Sequence, residues 1–352
     1  MTSTKPPARI YPITTFISDL PASLIPHGSQ TSPKNGANGR LVIIGDVHGM
    51  RKSLEALLNK VNFDNSKGDH LILVGDLINK GPDSPGVVDL AMKLGASAVR
   101  GNHENAVLNA VMEINTFQNS QFCHQDFTGS SAAPENPEDN SAEASVPDLE
   151  IPDNCNSDVP AVKMKASPTT QSTARALSKH HIDWLASLPL ILRIRLPADL
   201  TSSLGDSLVV AHAGLVPGIP LEDQDPNAVM HVRSLVRETG NEKAFTPTEV
   251  FGDEGWVVEW DRLQESLASK TTVIFGHDAK RRLQLGRYTI GLDSACLYGN
   301  QLSAVVIESR DGRVEHEIVQ VECADTPVAS TVPVEKGEKD IDKDTLCRNS
   351  AA

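Results

Sequence analysis

The sequence predicts an α/β fold with a largely parallel sheet. Two short apolar runs, at residues 41–44 (LVII) and 71–74 (LILV), are rich in β-branched residues and stop at glycine. This pattern is typical of strands that are buried on both faces. Between them, apolar residues recur at helical spacing from Leu54 to Val61. Strand and helix therefore alternate, and alternation favours parallel strands joined by helices.

The later elements follow from the same periodicities. Ser84 is a candidate cap for a helix that runs to about residue 94, and residues 96–100 form the third predicted strand. A helix is predicted at about 176–188. Further strands are predicted at 190–196, 208–211, 272–275, 288–292, 302–308 and 314–321, with helices at 227–238 and 256–268.

Three segments lack such periodicity. Residues 1–38 are rich in Pro, Ser, Gly and Asn, which predicts a flexible N-terminal segment. A Ser-, Pro- and acid-rich stretch at about 116–173 predicts a disordered acidic insertion, because it has too little apolar surface to offset its chain entropy. Residues 323–352 are predicted to be a flexible tail. One folded domain would then span 39–322.

Composition excludes several classes of protein. The net charge is −14, which argues against general nucleic-acid binding, since phosphate backbones recruit Lys and Arg surfaces. Five cysteines without paired spacing are expected to be reduced thiols of an intracellular protein. We find no apolar stretch near the roughly 18 residues of a membrane span. The expected location is the cytoplasm.

Five short strings at the ends of apolar runs carry the chemistry. They are Gly45-Asp46-Val47-His48-Gly49, Gly75-Asp76, Gly101-Asn102-His103-Glu104, Ala211-His212-Ala213-Gly214 and Phe275-Gly276-His277-Asp278. Ligands gather at the carboxyl ends of strands in such sheets. Mixed oxygen and nitrogen donors suit manganese, iron or zinc better than magnesium or calcium. Each string alone could be a turn, a helix cap or a core histidine, but five in one order favour a two-metal site.

In this order the strings resemble the calcineurin-like metallophosphoesterase superfamily, specifically its phosphoprotein-phosphatase branch, over residues 40–310. The resemblance implies an α/β sandwich of two mixed β-sheets flanked by helices. It also implies two divalent metal ions, of manganese, zinc, iron or cobalt. One ion would bind Asp46, His48 and Asp76, and the other would bind bridging Asp76, Asn102, His212 and His277. His103 would be the general acid.

Some residues of this chain differ from the pattern of the phosphoprotein-phosphatase branch, and these differences indicate which members of the branch it resembles. Protein phosphatases have Asp-Arg where this chain has Asn79-Lys80. The resemblance therefore indicates that the carboxylate partner of His103 is missing. It also indicates that the planar guanidinium, which can bind a phosphate through two hydrogen bonds, is replaced by the single charge of a lysine ammonium. The Asn79-Lys80 pair, together with Ala213 and the Gly-Pro-Asp-Ser sequence at 81–84, is similar to the pattern of symmetrical diadenosine tetraphosphatases and fungal endopolyphosphatases. Lys80 and Arg233 are the predicted substrate-binding residues, with Arg237 as an alternative to Arg233.

The sequence therefore predicts a two-metal phosphatase for polyphosphate or nucleotide polyphosphates, acting by in-line attack of a metal-bridging hydroxide. A serine/threonine protein phosphatase with a phosphoprotein substrate is the alternative enzyme. A catalytically inactive binding module is a third possibility, although no ligand residue is lost. The sequence does not set the oligomeric state.

Overall fold

The structure is a computed structural model that describes residues 9–27, 39–125, 164–238, 241–252 and 255–329. The strands of these ranges are β1 (Ile17–Asp19), β2 (Leu41–Ile44), β3 (His70–Leu73), β4 (Ser97–Ala98), β5 (Ile191–Arg195), β6 (Thr201–Ser202), β7 (Ser207–Ala211), β8 (Ser234–Glu238), β9 (Asn241–Thr248), β10 (Thr271–Phe275), β11 (Gln284–Leu285), β12 (Thr289–Gly291), β13 (Gln301–Arg310) and β14 (Arg313–Glu322). The α-helices are α1 (Arg51–Lys60), α2 (Ser84–Lys93), α3 (Asn102–Gln125), α4 (Pro168–Ala176), α5 (Lys179–Ser187), α6 (Pro226–His231) and α7 (Trp256–Ser266).

Two six-stranded mixed sheets form the centre of the molecule. The first has the order β1-β5-β7-β10-β12-β11, in which β7, β10 and β12 are parallel neighbours. The second has the order β4-β3-β2-β13-β14-β6, in which β2, β3 and β4 are parallel and β13 runs antiparallel to β2. A separate hairpin pairs β8 with β9.

Strand β2 illustrates why both faces of the sheets are apolar. Leu41 and Ile43 belong to the core between the two sheets, whereas Val42 and Ile44 pack under the helices on the outer face. All four are fully buried. Trp256 and Trp260 of α7 cover the outer face of the other sheet. The layers are therefore helix, sheet, sheet and helix, which confirms the predicted sandwich of two mixed sheets flanked by helices.

The predicted helix at 227–238 is wrong in its second half. Helix α6 ends at His231, and β8 begins at Ser234. Helix α2 begins with Ser84, as its first residue, but its cap is Asp83, whose carboxylate accepts from Gly86 N at 2.8 Å. None of the described helices combines the length and apolarity of a membrane span.

Part of the N-terminal segment is folded, which corrects the prediction for residues 1–38. Strand β1 pairs in parallel with β5, and Leu20 is 4% exposed. The guanidinium of Arg100, itself fully buried, donates to the carbonyls of Tyr11 and Pro12, each at 3.2 Å. A three-residue strand is too short to give a periodic signal, so its pairing depends on tertiary contacts. Residues 1–8 and 28–38 lie outside the described residues.

The predicted insertion at 116–173 is also too wide at both ends. Helix α3 continues to Gln125, and α4 begins at Pro168 after Ser167, whose hydroxyl accepts from Thr170 N. Ser-Pro at a helix start is a recognised signal, because proline fits the first helical position. Within a Ser-, Pro- and acid-rich stretch, however, the same residues also predict a loop. Residues 126–163, the remainder of the predicted insertion, lie outside the described part of the chain.

The tail prediction fails for the first residues after Cys323. Asp325 is 8% exposed and its carboxylate accepts from Lys52 N (3.3 Å), Ser53 N (2.8 Å) and Ser53 Oγ (2.7 Å). Met50, the residue before α1, makes no capping bond with its side chain. Asp325, which is 272 residues from Ser53 in the sequence, therefore supplies the cap that α1 lacks locally. Residues 330–352 are outside the described range.

We predict that Asp325→Ala lowers the free energy of unfolding by about 1–2 kcal/mol, because it leaves the first N–H groups of α1 without an acceptor. Urea denaturation of the purified variant measures this loss. Glu315→Gln, on the exposed surface of β14, is the matched control and should change the stability by less than about 0.5 kcal/mol. Equal stability of the Asp325 variant and the control would contradict the proposed cap.

Candidate metal centre

The predicted ligands lie at one edge of the sandwich, where loops from both sheets meet. From the second sheet, Asp46 follows β2, Asp76 follows β3, and Asn102 starts α3 after β4. From the first sheet, His212 follows β7 and His277 follows β10. The two sheets approach closely here, since a Cβ on Gly276 would stand 1.8 Å from Asp46 Oδ1. Glycine is therefore required for the loops to meet.

Three of these side chains are presented by left-handed backbone. The φ angles are 47° at His48, 50° at Asp76 and 69° at His277. Asn79 and Lys80, in the same loop as Asp76, have φ angles of 75° and 68°. Each such residue costs free energy, and strained residues cluster at functional sites. The strain is local to the loops that carry the predicted site.

The carboxylate of Asp76 lies at the centre of the cluster, and its two oxygens face different imidazoles. Oδ2 is 3.5 Å from His48 Nε2, and Oδ1 is 3.3 Å from His212 Nε2. Oδ1 also accepts from the backbone N–H of His103 at 2.9 Å. Asp76 is 2% exposed. A carboxylate in this position can share its oxygens between two ions.

Ring-nitrogen contacts orient two of the histidines. Nδ1 of His48 lies 3.3 Å from the carbonyl of Ile78, and Nδ1 of His212 lies 3.0 Å from that of Val74. A carbonyl can only accept, so each Nδ1 carries the proton and donates it. Nε2 of each ring therefore faces Asp76. Such outer hydrogen bonds fix the tautomer of metal-binding histidines.

Asn102 and His277 complete the side of the cluster near His212. Oδ1 of Asn102 is 2.9 Å from His212 Nε2 and 3.2 Å from His277 Nδ1. The backbone N–H of His277 donates to both oxygens of Asp46, at 3.1 and 3.0 Å. Nε2 of His277 is buried and has no hydrogen-bond partner among the described residues.

Two sets of three donors overlap at Asp76. His48, Asp76 and His103 form one set, and Asp76, His212 and His277 form the other; donor atoms within each set lie within 4.8 Å. Asp46 adds a carboxylate to the first set, with Oδ2 4.0 Å from His48 Nε2. Mixed imidazole and carboxylate donors suit zinc, manganese or iron. The cluster therefore fits the two-metal expectation.

Electrostatics support the same fit. Burial, followed by the charges of Asp293 and Asp76, raises the pKa of Asp46 well above its usual value. Burial also raises the pKa of Asp293 to about 6. Burial acts on Asp76 in the same direction, but His212 and His103 hold its pKa well below the usual value. Clustered buried carboxylates repel each other, and bound cations would relieve that repulsion.

Glu104, the last residue of the third string, holds the backbone around the site. Its side chain is fully buried and accepts four backbone N–H groups. Oε2 accepts from Asp76 N and Gly101 N, both at 2.8 Å, and Oε1 accepts from Leu77 N and Ile78 N at 2.9 and 3.3 Å. It therefore holds the loop that presents Asp76. A single sequence offered no signal for this, because the donors are backbone groups.

Asn79 occupies the place where the sequence indicated a missing partner for His103. Its Nδ2 lies 2.9 Å from His103 Nδ1, and its Oδ1 accepts from Lys80 N at 3.0 Å. Because a backbone N–H can only donate, Oδ1 must face Lys80 and Nδ2 must face the histidine. His103 Nδ1 then accepts, and Nε2 carries the ring proton. Nε2 lies 3.9 Å from Asp76 Oδ2, inside the cluster.

Helix α4, which follows the predicted insertion in the sequence, contacts the side chain of Asn79. Thr170 Oγ1 accepts from Asn79 Nδ2 at 3.2 Å, and Thr173 Oγ1 donates to Asn79 Oδ1 at 3.2 Å. Both threonines are buried. The sequence assigned these residues to the disordered insertion, so their contribution to the site was missed.

The structure brings both predicted substrate-binding residues to the cluster. Lys80 is partly buried, and burial lowers its pKa, against the opposing charges of Asp76 and Asp46. Arg233 Nη1 donates to the carbonyl of His277 at 3.2 Å. Arg237, the alternative, donates instead to Glu259 at 2.6 Å. The geometry therefore favours Arg233 as the arginine beside the cluster.

We predict that Glu104→Gln lowers the free energy of unfolding by about 2–4 kcal/mol, because an amide nitrogen would face buried N–H donors that need an acceptor. Displacement of Asp76 should also reduce zinc binding, measured by titration calorimetry. Glu55→Gln, at an exposed ion pair on α1, is the control and should alter neither quantity appreciably. Unchanged stability and zinc affinity in the Glu104 variant would contradict this role.

Comparison with known proteins agrees with the geometry. A zinc-dependent endopolyphosphatase of Saccharomyces cerevisiae is 30% identical over 298 residues, which cover 82% of this chain and 82% of the yeast protein. A symmetrical bis(5'-nucleosyl)-tetraphosphatase of Nitrosospira multiformis is 23% identical and covers 80% of this chain and 94% of its own. A solved structure described as a candidate diadenosine tetraphosphatase has a TM-score of 0.57 and 30% identity, and covers 88% of this chain and 98% of that one.

A shorter match extends to the protein phosphatases. Serine/threonine-protein phosphatase 1 of Salmonella typhimurium is 44% identical over 68 residues, which are 19% of this chain and 31% of that protein. The family match itself spans residues 39–281, from the strand before Asp46 to the loop after His277. The chain belongs to the calcineurin-like phosphoesterases, a family of metal-dependent phosphoric ester and anhydride hydrolases.

Proposed function

We propose that this chain hydrolyses phosphoanhydride bonds in linear polyphosphate or in dinucleoside polyphosphates, with two divalent metal ions. The observation that carries the proposal is the position of Asp76, whose two oxygens face different imidazoles, those of His48 and His212. The names of the yeast and Nitrosospira relatives support the substrate class. Membership of the family establishes metal-dependent phosphoester chemistry, and the identity of the substrate is what we propose in addition.

We assign the ligands as the sequence predicted. One ion would be held by Asp46, His48 and Asp76, and the other by Asp76 together with the amide of Asn102 and the imidazoles of His212 and His277. When bound, the ions would supply a Lewis acid for the phosphoryl oxygens and an activated water. Zinc is the first choice of metal, since the yeast relative is zinc-dependent.

The chain's own residues would orient the substrate and move a proton. Lys80 and Arg233 lie beside the cluster and would hold the oxygens of the reacting phosphate. His103 carries its proton on Nε2, which faces the cluster, and this supports His103 as the group that would protonate the leaving oxygen. Asn79 holds the ring by its amide, without the charge that a carboxylate would bring.

A serine/threonine protein phosphatase is the second candidate, favoured by the local match to the Salmonella enzyme. The amide at position 79 and the lysine at position 80 argue against it, because a lysine lacks the bidentate grip of arginine on one phosphoryl group. An inactive binding module is disfavoured, since every predicted ligand side chain is present and gathered. A cytoplasmic location stays a prediction.

A substrate panel tests the proposal directly. Purified protein is assayed with zinc, manganese or cobalt on polyphosphate, diadenosine tetraphosphate, capped RNA and a phosphopeptide. We expect kcat/KM to be highest for polyphosphate or diadenosine tetraphosphate. A higher value for the phosphopeptide would reassign the chain to the protein phosphatases.

Asp76→Asn should reduce kcat by more than about 100-fold and lower the metal content, because even partners of metal ligands are worth 10–100-fold and this residue would serve both ions. Steady-state kinetics and elemental analysis measure the two effects. Asp83→Asn preserves the cap of α2 and should leave both at the parent level. Wild-type turnover with two retained ions in the Asp76 variant would refute the bridging role.

His103→Ala should slow phenyl phosphate hydrolysis by at least about tenfold more than p-nitrophenyl phosphate hydrolysis, since a general acid matters most for a basic leaving oxygen. Exposed His180 provides the control, and His180→Ala should leave both rates unchanged. Equal losses on the two substrates in the His103 variant would assign the residue a structural role instead.

A further inference from the structure

An exposed aromatic ring beside the metal centre gathers three cationic side chains. Phe251 lies between β9 and α7 and is 38% exposed. The guanidinium of Arg233, the ammonium of Lys280 and the guanidinium of Arg281 lie 4.8, 4.8 and 5.0 Å from its ring centroid. Like charges repel, so their convergence needs a partner. We call these four residues the Phe251 platform.

Among the described residues, the platform has more positive charge than its ion pairs neutralise. Asp278 is the carboxylate that contacts it, with Oδ2 2.6 Å from Arg281 Nη1 and Oδ1 3.8 Å from Arg233 Nη1. Lys280 is exposed and makes no ion pair in the described ranges. In the part of the chain that the structure describes, three cations thus face one carboxylate, whereas the net charge of the whole chain is −14. The local excess matches a polyanion.

The platform is joined to the metal centre through Arg233. This guanidinium contacts the carbonyl of His277 on one side and the ring of Phe251 on the other. Arg281 Nη1 also donates to the carbonyl of Arg233 at 3.3 Å, which holds the two arginines together. The cations therefore extend outward from the cluster. A phosphomonoester would use Arg233 and leave the outer charges without a ligand.

A nucleobase is the other occupant that an exposed aromatic ring could suit. Stacking would use the ring face, and bases stack readily on aromatic side chains. Here the cations already lie over the ring, which attracts them through its electron-rich face. A base would have to displace at least one of them. The contacts favour a chain of phosphates, whose oxygens would meet the cations directly.

We propose that the Phe251 platform is a subsite for the phosphate chain of the substrate, next to the phosphoryl group that is cleaved. It rests on the proposed function and specifies it, because an elongated polyanion would gain contacts that a phosphomonoester lacks. Lys280, at the outer end, selects for chain length. Arg233 serves both the reacting phosphate and the next one.

Lys280→Gln and Arg281→Gln test the subsite. We expect KM for long-chain polyphosphate to rise at least about fivefold more than KM for p-nitrophenyl phosphate, because only the chain reaches the outer cations. The KM of the parent for polyphosphate should rise with salt, and this dependence should weaken in the variants. Lys93→Gln, an exposed lysine at the end of α2, is the matched control and should leave both KM values unchanged.

Calorimetric binding of polyphosphate in the presence of a chelator separates the subsite from the activity. Weaker binding by Lys280→Gln than by Lys93→Gln supports the subsite even if the parent cleaves neither polyphosphate nor diadenosine tetraphosphate, an outcome that would overturn only the proposed function. Polyphosphate hydrolysis with the same KM in all variants would overturn the subsite and leave the function. If Phe251→Ala impairs the hydrolysis of diadenosine tetraphosphate but not that of polyphosphate, a nucleobase occupies the platform, which would contradict the proposal.

Discussion

The buried carboxylate of Asp76 is the constraint on which the rest of the site depends. It lies where the carboxyl ends of two sheets meet, and its oxygens face His48 on one side and His212 on the other. Burial raises the pKa of both Asp46 and Asp293, and the charges of Asp293 and Asp76 raise the pKa of Asp46 further. Such a concentration of buried carboxylates is stable only with protons or cations to balance it. The fold therefore concentrates negative charge where metal ions are needed.

The surrounding protein holds this arrangement against strain. Left-handed backbone at Asp76 and His48 costs free energy that must be offset nearby. Glu104 offsets it by accepting four backbone N–H groups from the loop of Asp76 and the turn before α3. The carbonyls of Val74 and Ile78 fix the histidine rings in the same way. Rigid outer contacts allow the metal donors to be placed before an ion binds.

The sequence predicted the parts of the fold that depend on regular periodicity. Strands β2 and β3 and helices α1 and α2 were clear, because their apolar residues repeat at the spacing of the element. The predicted ligands were brought together, since each follows a strand. Strand β1 and helix α4 were missed, because β1 is three residues long and α4 is rich in polar residues. Thr170 and Asp325 contact residues that are far away in the chain, and the local sequence pattern does not predict such contacts.

The amide of Asn79 illustrates what a substitution means only in three dimensions. From sequence it was a lost carboxylate, whereas in the structure it is a fixed hydrogen-bond donor to His103, held by two threonines of α4. The site therefore differs from the protein-phosphatase pattern because an amide contacts His103 where the pattern has a carboxylate; the contact itself is not lost. Together with Lys80 and the Phe251 platform, the amide of Asn79 supports the proposal that the substrate is a chain of phosphates.

Asp76 is the residue that two metal ions would share. Anomalous diffraction from crystals of the intact protein grown with zinc measures this most directly. We expect two anomalous peaks on opposite sides of the Asp76 carboxylate, one beside Asp46 and His48 and the other beside Asn102, His212 and His277. A single peak, or peaks that do not contact Asp76, would contradict it.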